Sequence, residues 1–62
     1  MVIKNRVFEE LPGTVFVVYL PEVGMALAVF KTKAAADAYR DRAKGSEVRV
    51  GHFLANGDIE TI

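Results

Sequence analysis

The sequence predicts a small α+β domain: an antiparallel β-meander with one helix, in the order β-β-β-α-β-β, with residues 1–62 as a single domain. Three observations predict it. Runs rich in β-branched and aromatic residues recur along the chain, as strands require. Turn signals carrying glycine separate most of those runs. One alanine-rich stretch in the middle has the composition of a helix.

The first strand is expected over residues 2–8. Pro12-Gly13 then fits a type II turn, in which proline presets φ at one central position and glycine takes φ > 0 at the next. Strand two, residues 14–20, is almost wholly apolar. Pro21-Glu22-Val23-Gly24 reads as a tight connection into strand three, residues 25–30. Thr32 is a good N-cap, because its hydroxyl can accept from the free amides of the first turn. The helix should run over residues 33–44, with Arg40, Arg42 and Lys44 favouring the negative end of its dipole. Gly45 is the expected stop. Strand four spans residues 47–54, and Gly51 inside it suggests a bulge or a close backbone approach. Asn56-Gly57 predicts a two-residue type I′ hairpin into strand five, residues 59–62.

Side chains alternate across a strand. In strand two, Val15, Val17 and Tyr19 point one way and Phe16, Val18 and Leu20 the other. In strand three, Met25, Leu27 and Val29 oppose Ala26, Ala28 and Phe30. Both faces of both strands are apolar, whereas a strand with one wet face alternates with polar residues. One helix covers one face, with Ala35, Ala36, Ala38, Tyr39 and Ala43 as its less polar side and Ala26 and Ala28 receiving it. The other face needs either a second copy or a curl of the sheet within the chain. Exposing four such side chains forgoes about 1.5–3 kcal/mol each, against about 3–5 kcal/mol of net core stability in so small a domain. The leading expectation is therefore a homodimer through Val15, Val17, Tyr19, Met25, Leu27 and Val29.

Composition narrows the functional classes. The chain is 52% hydrophobic, has no cysteine and one histidine, and carries no net charge. Disulfides and thiolate metal sites are excluded, and no cofactor is expected. The lack of cysteine fits the cytoplasm. Residues 1–6 run straight into a strand pattern, so no leader is expected. The apolar run over residues 15–20 is too short to cross a membrane.

Charge is unevenly placed. Residues 31–49 hold six basic side chains (Lys31, Lys33, Arg40, Arg42, Lys44, Arg49) against Asp37, Asp41 and Glu47. They make a candidate nucleic-acid contact, with Tyr39 as a stacking surface; a solvated helix face and a core tyrosine are the plainer readings. His52 is the one side chain suited to act as a base near neutral pH, with Glu60 or Asp58 across the hairpin as partners. Asp58 and Glu60 could hold a cation or pair with Arg49, and Glu9-Glu10 could meet a basic partner. One histidine and scattered carboxylates specify no reaction, so the chain is not expected to be an enzyme.

The run Phe30-Lys31-Thr32-Lys33-Ala34-Ala35-Ala36-Asp37-Ala38-Tyr39 resembles the strand-to-helix corner of the arm-binding N-terminal domain of phage-type tyrosine integrases. That resemblance covers ten residues and implies a sheet that reads DNA in the major groove. The chain departs from the pattern in two ways: strands two and three carry no basic or polar readers, and strands follow the helix.

The function expected from all this is a small protein-binding or regulatory module, a phage or bacterial inhibitor or adaptor whose partners are itself and another protein. Nucleic-acid binding through the basic helix face is the alternative.

Overall fold

In the computed structural model, residues 1–5 and 9–62 are described. The second half of the expected first strand, Arg6 to Phe8, lies outside them. Five strands and one helix follow in the expected order: β1 Val2–Ile3, β2 Val15–Leu20, β3 Met25–Phe30, α1 Lys33–Arg42, β4 Glu47–Phe53 and β5 Ile59–Thr61.

The strands form one antiparallel sheet in the spatial order β1-β5-β4-β2-β3. Its two edges then meet. Lys4 forms a parallel bridge with Met25, in which the Lys4 amide donates to the Gly24 carbonyl at 3.2 Å and the Ala26 amide donates to the Lys4 carbonyl at 3.1 Å. The sheet is thus curled round on itself, and the curl has an inside.

Ile3, Val15, Val17, Tyr19 and Ile59 form the buried cluster of that interior, with Leu11, Ala26, Val29 and Phe53 packed against it. Leu11 comes from the segment between β1 and β2. Asn5 ties the start of that segment to the β4–β5 hairpin: its side-chain amide donates to the Gly57 carbonyl at 2.9 Å and its backbone N–H to Asp58 Oδ1 at 3.2 Å.

Here the expected interface is corrected. Val15, Val17 and Tyr19 are buried inside the chain, so they cannot meet a second copy. The curl covers the face that a partner was expected to cover. The amount of burial agrees. The chain exposes 4070 Å², and a compact monomer of 6.8 kDa exposes about 4,000 Å².

Strand three also departs from simple alternation. Val18 pairs with Ala28, but Tyr19 pairs with Ala26, so Leu27 is the extra residue of a β-bulge. A bulge inserts one residue and bends its strand. Val29 and Ala26 therefore both pack inward, while Met25 lies opposite Leu20 and is exposed. Met25, Leu27 and Val29 do not share one face. Ala26 and Ala28 do not either: Ala28 alone lies opposite Val18, on the side away from the interior cluster.

Helix α1 packs across β2, β3 and β4 on that outer side, where Val18, Ala28 and Ala36 are buried. Thr32 caps it as expected, accepting from the Ala35 amide at 3.3 Å. The helix stops at Arg42, two residues early, because Ala43 turns to an extended conformation. Its amide still donates to the Arg40 carbonyl at 3.0 Å.

The β4–β5 hairpin is not the expected type I′ turn. Asn56 has negative φ, and only Gly57 takes a left-handed conformation, at φ 91°. The Gly57 amide donates to the Leu54 carbonyl at 2.9 Å, and the Leu54 amide to the Asp58 carbonyl at 2.7 Å. This is the three-residue hairpin in which glycine makes the bulge.

Candidate functional site

The expected site residues separate into three places. The six basic side chains are the first. Four are already engaged. Lys33 Nζ lies 2.9 Å from Asp37 Oδ2. Arg40 reaches Asp37 Oδ1 at 3.8 Å and Asp41 Oδ1 at 3.7 Å. Arg49 pairs with Glu47 at 3.3 Å, and Lys31 donates to the Pro12 carbonyl. Arg42 and Lys44 have no acidic partner among the described residues. Half of the basic side chains are therefore held in local ion pairs. Exposed pairs of this kind contribute about 0–1 kcal/mol each, and they weaken the field that nucleic-acid binding needs.

Tyr19, Glu47 and Arg49 form a polar cluster at the mouth of the curl. The Tyr19 hydroxyl donates to Glu47 Oε2 at 3.2 Å. Tyr19 first, and then Glu47, hold the Arg49 guanidinium above its ordinary pKa. Arg49 turns to Glu47 on its own strand, not to Asp58 or Glu60 across the ladder. The Asp58 carboxylate instead accepts from the Asn5 N–H at 3.2 Å and from Asn56 Nδ2 at 3.4 Å.

His52 is the second place. It stands opposite Glu60 in the β4–β5 ladder, as the hairpin required, and its side chain is exposed. It borders an open depression of about 590 Å³ lined by Glu10, Leu11, Pro12, Gly13, His52 and Phe53. One imidazole and one carboxylate at the edge of an open depression define no reaction. Among the described residues, no three His, Cys, Asp or Glu side chains cluster to hold a metal ion. Among the same residues, no helix is long and apolar enough to cross a membrane.

The third place was not foreseen. A groove of about 310 Å³ runs beside the helix, lined by Phe30, Ala35, Ala38, Tyr39 and Arg42. Its helical residues fall at i, i+3, i+4 and i+7, which is one stripe of an α-helix. Ala35 and Ala38 leave depth because they end in methyl groups. Phe30, at the end of β3, and Tyr39 form the aromatic wall, their ring centroids 5.8 Å apart and tilted by 52°. Tyr39 was expected in the core, yet it is 38% exposed. Arg42 closes one end. The 3.6-residue repeat held the signal for this groove; the core assignment of Tyr39 hid it.

Comparison with protein-family models, curated proteins and solved structures returned no match. The likeness to the integrase corner stays confined to the strand-to-helix step, since β4 and β5 complete the sheet after the helix.

Proposed function

We propose that this domain is a non-enzymatic protein-binding unit, a small regulator, adaptor or inhibitor that acts by occupying a partner. The observation that supports it is the groove of Phe30, Ala35, Ala38, Tyr39 and Arg42. It is apolar, half-open and walled by aromatic rings, with a single charge at its rim. Protein partners anchor in such places through one or two apolar side chains. At about 310 Å³ it sits at the lower end of the range for small-molecule pockets, about 300–1,000 Å³.

Pairing of copies is a separate part of the proposal, and it has lost its original surface. The exposed apolar side chains that remain for it include Val2, Val23 and Met25, which are 51%, 61% and 42% exposed. Sedimentation equilibrium over a wide concentration range tests this part. A monomer throughout removes self-association and leaves binding of another protein standing.

The main reading is tested by affinity capture from the source cells. Ala38→Glu fills the groove and offers Arg42 an i, i+4 partner, which suits the helix. The wild-type domain should retain one protein in moderate salt and the variant should lose it. Equal capture by both baits, or recovery of nucleic acid alone, overturns the reading.

A further inference from the structure

We infer that the groove takes an acidic segment of a partner protein, one that places an apolar side chain beside an Asp or Glu. The inference rests on the protein-binding reading and names the chemistry of the partner. Its apolar half follows from the lining. Ala35 and Ala38 form a floor of methyl groups between the rings of Phe30 and Tyr39, so a Leu, Phe or Met side chain finds contact on several sides.

Its acidic half follows from how the helix distributes charge. Lys33 and Arg40 both turn to Asp37 on one flank. The groove lies along the other flank, and among the described residues Arg42 is the one cation that lines it. Asp41 is the acid nearest that side by the helical repeat, and it is turned to Arg40 at 3.7 Å. Arg42 is thus left with no carboxylate among the described residues. A guanidinium presents a planar fork that matches a carboxylate with two parallel hydrogen bonds. Beside a groove that excludes water from one side, that pairing is stronger than between two fully exposed chains. A nucleic-acid strand would also offer an anion and a stacking ring, but Lys33 and Arg40 are already paired, which leaves Arg42 and Lys44 at this end of the helix, fewer cations than a phosphate backbone usually engages.

The test uses a random peptide library displayed against the intact domain, followed by fluorescence polarisation with the selected peptides. Selected sequences should place Asp or Glu within about two residues of Leu, Phe or Met. Arg42→Glu should weaken their binding by about tenfold or more, and Ala38→Glu should do the same, with circular dichroism melts close to wild type. Lys44→Glu, outside the groove, should change affinity far less. Selection of apolar peptides lacking an acid, still lost in Ala38→Glu, overturns this inference and leaves the protein-binding reading intact. Peptides indifferent to both groove variants overturn both. A labelled twelve-residue oligothymidine that binds through Arg42 and displaces the peptides also overturns the acidic partner.

Discussion

The two faces of β2 are equally apolar in sequence and end in different circumstances. Val15, Val17 and Tyr19 look into the curl and are covered by the rest of the sheet. Phe16, Val18 and Leu20 look outward, where one ten-residue helix covers Val18 fully and leaves Phe16 and Leu20 partly exposed. The inside is closed by backbone geometry, and the outside by a separate element that ends before the surface does. A strand apolar on both faces therefore does not demand a second chain. It demands two covers, and here the outer cover is the poorer one.

The inside depends most on Gly51. A Cβ there would lie well within contact of the Glu60 carbonyl oxygen, 3.0 Å from the Glu60 carbonyl carbon and 3.1 Å from Thr61 Cα. All of these are backbone, so β5 would have to move. Gly51→Ala should cost about 3 kcal/mol, most of the stability of so small a domain. Urea denaturation followed by circular dichroism should show no native baseline or one lost at low urea. A variant as stable as wild type would mean that the curl does not require this approach.

Ile59→Ala comes next. Ile59 is fully buried, opposite Ile3 and Phe53. Removing its branched end should cost about 2–4 kcal/mol through lost transfer energy and a cavity. Ile59→Val should lose about 1 kcal/mol, a shift of about 4–8 °C in Tm. A smaller loss in both would place Ile59 at a looser edge of the interior.

Much of this was legible in the sequence, and the failures share a cause. The element order, β3 to the residue, the Thr32 cap and the left-handed Gly13, Gly24 and Gly57 follow from local chemistry. The partner of the inner face does not, because curling is a long-range property. It is set by the Lys4–Met25 bridge and the Leu27 bulge, neither of which has a local signature. That bulge also breaks the alternation that placed Met25 with Val29. Gly51 did announce a close approach, but not which strand would make it. The basic cluster was visible as composition, while the pairing of Lys33, Arg40 and Arg49 with Asp37, Asp41 and Glu47 depends on side-chain geometry.

On the outside, the effects should be smaller. Thr32→Ala removes the acceptor for the Ala35 amide and should cost about 1 kcal/mol. The loss loosens the first turn, at the Phe30 and Ala35 end of the groove. Thermal melts should register it, and a cost near zero would show that packing on β2 and β3 alone holds that end of the helix.

The smallest expected change in stability is also the sharpest test of the difference between the faces. Arg42→Glu alters an exposed side chain in the last turn of the helix. It reverses a charge that suits the negative end of the dipole, an effect of about 0.3–1 kcal/mol. The Tm should fall by only a few degrees, since 1 kcal/mol corresponds to about 4–8 °C in a domain of this size. If the outer groove is where the molecule does its work, binding must fall far more than stability does. The inner variants should behave in the opposite way: Ile59→Val should lower stability and leave the affinity of the folded fraction unchanged. Parallel losses of binding and stability in both variants would mean that the two faces are one cooperative unit, with no site confined to the groove.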